Sequence, residues 1–160
     1  MKVAVITVSD RASKGIYEDR SGAKIIQILK DKITDINIDK EIVPDEKEEI
    51  FSALEKFLGY DFIITTGGTG ISQRDVTPEV TKDFCEKELP GIAETLRFES
   101  LKETKTAMLS RGYAGIKGKT IVINFPGSVK AVTLCTNVIV PIMEHAIMMI
   151  EGKPHKHGNK

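Results

Sequence analysis

The run Thr65-Thr66-Gly67-Gly68-Thr69-Gly70 sets three glycines and three hydroxyls directly behind an apolar stretch. Glycines let backbone N–H groups approach an anion closely, and threonine hydroxyls add donors, so the chemistry this composition suggests is phosphate binding. The spacing is neither GxxxxGK[ST] nor GxGxxG, and a turn that merely reverses the chain has the same composition. Arg74-Asp75 follows in the same loop. A carboxylate beside a phosphate pocket is repelled unless a cation lies between them, and Mg²⁺ takes one or two carboxylates together with substrate phosphates. The competing assignment makes Asp75 the cap of the helix that Val76-Thr77-Pro78-Glu79 begins.

These residues depend on the elements that carry them. Residues 3–8 are β-branched and end in Ser9-Asp10, as expected of a buried parallel strand feeding a ligand loop. Near-helical spacing of Ile25, Ile26, Ile28, Leu29 and Ile33 predicts a helix over 21–33 with Ser21 as its cap, and 36–43 predicts a second strand stopped by Pro44. Asp45 is placed to cap a helix over 46–58, and 61–66 is a third strand running into the glycines. Helices are expected over 78–88 and 90–102, each with a proline in its first turn. Residues 105–118 have no clear period and are expected to form an irregular hairpin, followed by a strand over 119–125. A closing helix over 129–150 is expected to bend at Pro141. In a parallel sheet Asp10, Asp45 and Asp75 emerge on one rim, where each also reads as a loop or cap residue. Pro126-Gly127-Ser128 could form a second anion site at the last helix's N-terminus, or an ordinary cap.

The chain has 160 residues, enough for one domain with a core of its own. Lys and Arg total 23 against 23 Asp and Glu, so no net charge points to nucleic acid or a membrane surface. Cys85 and Cys135 lack ligand spacing and are expected to be reduced, packed thiols. No leader precedes the first strand, so the expected location is the cytoplasm, and the apolar run 138–150 is interrupted by Glu144 and His145. Arg97, Arg111, Ser110 and Glu94 are explained by surface salt bridges as well as by a site. His145 reads as structural, and His155 and His157 as part of a solvated tail over 153–160.

Taken together, Thr7-Val-Ser-Asp-Arg-Ala-Ser-Lys-Gly15, Tyr17-Glu-Asp19, Ser21-Gly22, Pro44-Asp-Glu46, Thr65 to Gly70, Arg74-Asp-Val-Thr-Pro-Glu79, Pro90-Gly91 with Glu94, and Ala107-Met-Leu-Ser-Arg111 resemble the Mog and MoaB family of molybdenum-cofactor biosynthesis. The likeness covers nearly the whole chain, and the opening Ser-Asp-Arg-Ala-Ser with Tyr17 is more similar to the Mog type. It implies a three-layer α/β/α, doubly wound, mostly parallel molybdopterin-binding fold over 1–152. The activity it implies is transfer of AMP from Mg-ATP to the molybdopterin phosphate with release of pyrophosphate, by a homotrimer that hands its product to a molybdate-inserting partner. Asp45 and Asp75 are then the catalytic and Mg²⁺-directed carboxylates. The candidate ligand-binding residues are Ser9, Asp10, Thr66, Gly67, Gly68, Thr69, Gly70, Ser110, Arg111, Pro126, Gly127 and Ser128. Val129 departs from the resemblance, since the family often has a second proline there. A MoaB-like or competence-damage-protein-like pterin or nucleotide binder of the same fold, and a non-catalytic trimeric scaffold, are the alternatives.

Overall fold

The computed structural model describes residues 1–153. The chain runs β1 (Lys2–Val8), α1 (Asp10–Ser13), α2 (Arg20–Lys32), β2 (Asn37–Val43), α3 (Lys47–Lys56), β3 (Phe62–Thr66), α4 (Thr77–Phe84), β4 (Lys87–Glu88), α5 (Pro90–Leu101), a 3-10 turn (Lys105–Leu109), β5 (Ala114–Lys117), β6 (Thr120–Phe125) and α6 (Val129–Ile150). One sheet of order β2-β1-β3-β6-β5-β4 unites the strands. Its first four strands are parallel, whereas β5 pairs antiparallel to β6 and β4 antiparallel to β5.

Helices cover both faces. On one side Val3, Val5, Phe62, Ile64, Ile121 and Ile123 pack with the inner faces of α2, α5 and α6; on the other Ala4, Ile6, Ile63 and Val122 meet α3 and α4. With both faces covered, β3 and β6 are buried at every position and show no polar alternation. Phe125 is fully enclosed, and truncating such a side chain to alanine costs about 3–5 kcal/mol. Cys85 and Cys135 are free thiols.

The strand ends set the rim. Val8 is level with Val43, Thr7 with Thr66, and Thr66 with Phe125. The loops beginning at Ser9, Pro44, Gly67 and Pro126 therefore leave the sheet side by side, as the parallel assignment requires.

Several local assignments change. Asp19, whose carboxylate accepts the Gly22 amide at 2.9 Å, caps α2 in place of Ser21. Glu46, without a side-chain capping bond, stands at the N-cap of α3, and Val76 at that of α4, so neither Asp45 nor Asp75 caps a helix. The helix expected over 78–88 ends at Phe84, because residues from Cys85 turn extended and join the sheet as β4. Instead of an irregular hairpin over 105–118, a 3-10 turn leads into β5, which forms a regular antiparallel hairpin with β6. Helix α6 spans Val129–Ile150, the bounds expected, with Pro141 inside it. It is also longer than the apolar stretch read from the sequence: 22 residues, mean hydropathy 1.5, enough to cross a bilayer by length and composition. One face nevertheless carries Val132, Cys135, Ile139 and Met143 into the core. The tail from residue 154 on, with His155 and His157, lies outside the described residues.

Candidate functional site

The loops after β1 and β2 are tied to each other through their aspartates. The Asp10 amide donates to Asp45 Oδ2 at 2.9 Å, and the Asp45 amide donates to Asp10 Oδ1 at 3.0 Å. Arg74 closes this pair from outside. Its Nε and Nη2 grip both oxygens of Asp10 at 3.0 and 2.9 Å, and Nη2 also reaches Glu46 Oε1 at 2.9 Å. A forked guanidinium on a carboxylate holds geometry better than a single-point ion pair. Arg74 thereby pins the glycine-rich loop to two others.

The two charges respond in opposite directions. The Arg74 hydrogen bonds hold the Asp10 carboxyl below the usual carboxylate value. Burial pushes Asp45 up, the Asp10 amide opposes that shift, and the charges of Asp10 and Asp75 add to it. Asp45 is thus the desolvated acid of the rim.

Gly67 and Gly68 lie at φ +97° and +66°, where a side chain is strained. A side chain on Gly67 would strike the Val8 carbonyl, and one on Gly68 would meet the Thr77 hydroxyl and Asp45 Oδ1. Asp45 Oδ1 therefore faces the glycine loop. Asp75 lies against the same loop, since a Cβ on Gly70 would come within 2.9 Å of its Oδ2, which accepts the Ser72 amide at 2.9 Å. Thr77 secures the loop by donating its amide to the Gly68 carbonyl and its hydroxyl to the Gly67 carbonyl, both at 3.1 Å.

A cleft of about 360 Å³ opens over this loop, with Gly68, Gly70, Asp75, Ser110 and Gly127 in its wall. Several of the remaining candidates line this cleft or its neighbour, or brace the loops around them. The Thr66 hydroxyl donates to the Pro126 carbonyl at 2.8 Å, joining the β3 and β6 loops. Thr69 is buried, and its carbonyl accepts the Arg111 amide at 2.9 Å. Arg111 is engaged throughout: Nε donates to the Gly70 carbonyl at 2.7 Å, Nη2 to the Asp75 carbonyl at 2.8 Å, and Nη1 pairs with Glu79. Ser9 caps α1, and Ser128 caps α6 through the Ala131 amide at 3.1 Å. Beside Ser110 lies a narrower cavity of about 180 Å³, lined by Arg97, Ser100, Thr106, Asn124 and Cys135. There Arg97 donates to the Gly112 carbonyl at 2.8 Å, and Asn124 is fully bonded to Thr65, Thr81 and Tyr113.

Sequence reasoning missed Arg74 as a brace and Thr77 as an anchor. Nothing local marks either, since their partners come from loops distant in sequence. Among the described residues no group of three or more His, Cys, Asp or Glu is arranged to hold a metal unaided. Two carboxylates beside an anion-suited loop do fit Mg²⁺, which retains water and substrate phosphates in its shell.

Residues 4–145 match a family described as "Probable molybdopterin binding domain". A molybdopterin adenylyltransferase of Helicobacter pylori strain J99 is 42% identical over 154 residues, covering 94% of this chain and 88% of that protein. The crystal structure of the molybdopterin biosynthesis enzyme MoaB from Thermus thermophilus superposes with TM-score 0.85 at 37% identity, covering 97% of this chain and 99% of that one. The Mog protein of Mycobacterium ulcerans superposes with TM-score 0.87 at 34% identity, covering 93% and 98%.

Proposed function

Because this chain belongs to the molybdopterin-binding domain family, we propose that it is a nucleotidyltransferase that joins AMP from ATP to the terminal phosphate of molybdopterin. A phosphate oxygen of molybdopterin attacks the α-phosphorus of ATP, the bond to the β-phosphate breaks, and pyrophosphate leaves. No enzyme nucleophile is needed, because positioning and charge neutralisation supply the catalysis.

The observation that carries this assignment is the pair Asp45 and Asp75, both turned toward the glycine loop and neither capping a helix. A scaffold has no use for a partly desolvated carboxylate turned toward the glycine loop. Asp45 and Asp75 would hold Mg²⁺ with the nucleotide, and the ion would neutralise charge developing on the phosphates. The amides of residues 68–70 orient the phosphate chain, and Ser110 supplies a hydroxyl between this cleft and the cavity of Ser100 and Asn124.

The test is Asp75→Asn with molybdopterin, Mg²⁺ and α-labelled ATP. Asn can still accept the Ser72 amide, so the fold should persist, while pterin-linked AMP should form roughly a hundredfold more slowly. Near-parental turnover in a normally melting variant would sink the assignment.

The same proposal includes a homotrimer in the cytoplasm that passes its adenylylated product to a molybdate-inserting partner. Support for self-association comes from an apolar groove of about 400 Å³ between α5 and α6, lined by Leu89, Ile92, Val138 and Ile142. Of the apolar residues at the chain's end, Ile139 and Met143 are core, whereas Ile142 is 41% and Met149 58% exposed. Sedimentation showing a stable monomer at micromolar concentration would refute it.

A further inference from the structure

Every carbonyl of the glycine loop is held by a donor from outside it. Thr77 takes the first two, the Gly67 oxygen through its hydroxyl and the Gly68 oxygen through its amide, both at 3.1 Å. Arg111 takes the next two, the Thr69 oxygen through its amide at 2.9 Å and the Gly70 oxygen through Nε at 2.7 Å. A trans peptide is planar, so its N–H points opposite to its C=O. Fixing the oxygens of residues 67–70 therefore also fixes the amides of 68–71. The Gly67 amide is taken by the Phe125 carbonyl at 3.1 Å, whereas the amides of 68–71 donate to no backbone oxygen among the described residues.

The peptides of the loop are not equally secure. The one joining Gly67 to Gly68 has glycine at both ends, at φ +97° and +66°, so no side chain opposes its turning over. Turned over, it would put the Gly67 oxygen where the Gly68 N–H had been, and a carbonyl dipole aimed at an anion repels it. The bond from the Thr77 hydroxyl opposes that rotation. Thr77 is fully buried at the start of α4, and its own carbonyl accepts the Thr81 hydroxyl at 2.8 Å. The Thr81 hydroxyl in turn accepts Nδ2 of Asn124 at 2.9 Å. The residue that holds the loop is thus anchored through β6 to the sheet.

We propose that Thr77 is a positioning residue for phosphate, its hydroxyl locking the Gly67–Gly68 peptide in the orientation that turns an amide toward the nucleotide's phosphate chain. The inference rests on the assignment of this loop to those phosphates and adds the residue that sets the loop's polarity. Being fully buried, Thr77 touches no ligand and acts only through the peptide it holds.

The experiment measures solvent exchange of single backbone amides in the whole protein, with and without magnesium tripolyphosphate, for the parent, Thr77→Val and Thr77→Ser. In the parent, tripolyphosphate should slow exchange at Gly68 and leave Gly67, already bonded to Phe125, as it was. Thr77→Val keeps the shape of the side chain and lacks the hydroxyl, so it should bind about tenfold more weakly and lose the Gly68 protection. Thr77→Ser keeps the hydroxyl and should behave as the parent does. In turnover, Thr77→Val should raise KM for Mg-ATP and leave KM for molybdopterin unchanged, a split that mere loss of stability would not produce. Should Thr77→Val fail to fold, Thr77→Ala, which lacks the hydroxyl with less bulk, decides in its place. Parental affinity and Gly68 protection without the hydroxyl would overturn the proposal, as would a Thr77→Ser variant as weak as Thr77→Val. A parent that transfers AMP while its loop ignores tripolyphosphate refutes this inference and leaves the activity intact. Gly68 protection that needs the hydroxyl, in a protein that never transfers AMP, would refute the activity and leave the role of Thr77 standing.

Discussion

Asp10 and Asp45, 35 residues apart, exchange bonds in both directions, each amide donating to the other's carboxylate. The backbone after β2 is therefore held by a side chain from the loop after β1. Asp10→Ala should leave the Asp45 amide without its acceptor and cost about 1–3 kcal/mol. Asp10→Asn keeps an acceptor and should cost less. Denaturant midpoints distinguish the two; equal losses would show that the reciprocal bond contributes nothing.

Asp45 should trade stability for function. Its carboxyl sits above the ordinary value of 3.8 because burial disfavours the charge. The folded protein thus holds that proton more tightly than the unfolded chain does. Ionised Asp45 consequently penalises folding, with no penalty below the ordinary value and the full penalty once pH exceeds the raised one. Asp45→Asn should melt higher than the parent at pH 7, the gap closing as pH falls toward 3.8, while adenylyl transfer drops by roughly a hundredfold or more. Thermal melts across pH check the first half and a turnover assay the second.

Arg74 lowers the proton affinity of both Asp10 and Asp45. Arg74→Gln removes that positive charge, so each anion becomes harder to form. The acid limb of the pH–rate profile should move to higher pH, and Arg74→Lys should restore part of the shift. An unmoved limb would mean that Arg74 is only a surface tether.

The glycines of the loop are not interchangeable. Gly68→Val combines a strained φ of +66° with a collision at Thr77, so it should destabilise the fold, by about 1–3 kcal/mol from strain alone, as well as weaken binding. Gly70 has no positive φ, and a methyl there meets the Asp75 carboxylate instead. Gly70→Ala should fold nearly as well as the parent but transfer AMP poorly. A melt and a single turnover assay on each variant separate the two effects.

Arg111 clamps the loop through the carbonyls of Gly70 and Asp75. Arg111→Lys cannot reproduce the forked donors, so amide hydrogen exchange over 67–75 should accelerate while the strands stay protected. Unchanged exchange would show that the loop holds itself.

Much of this fold could be read from residue order alone. Continuous β-branched runs predicted buried parallel strands, and a parallel sheet placed Asp10, Asp45 and Asp75 on one rim, where they are found. What failed was local capping. Ser21 and Asp45 both precede helices and have capping chemistry, yet Asp19 takes the first cap and Asp45 turns inward to the Asp10 amide, a long-range contact with no local signature. The stretch 105–118 failed because β5 is short and Gly115 lets β4 approach closely, with its would-be Cβ 2.7 Å from the Lys87 carbonyl. Arg111, a candidate of the site, also supports the loop through partners three elements away.

The two outer strands of the sheet differ in kind and share an effect. At one margin β2 presents Asp39, Lys40 and Glu41 in succession, and at the other β4 is two residues long and bears Lys87 and Glu88. Charged or very short border strands resist pairing with a strand from another chain. Molecules of this protein are thereby steered away from ribbon-like stacking at high concentration. The surface left for orderly self-association is helical, so crowding should favour closed assemblies over filaments.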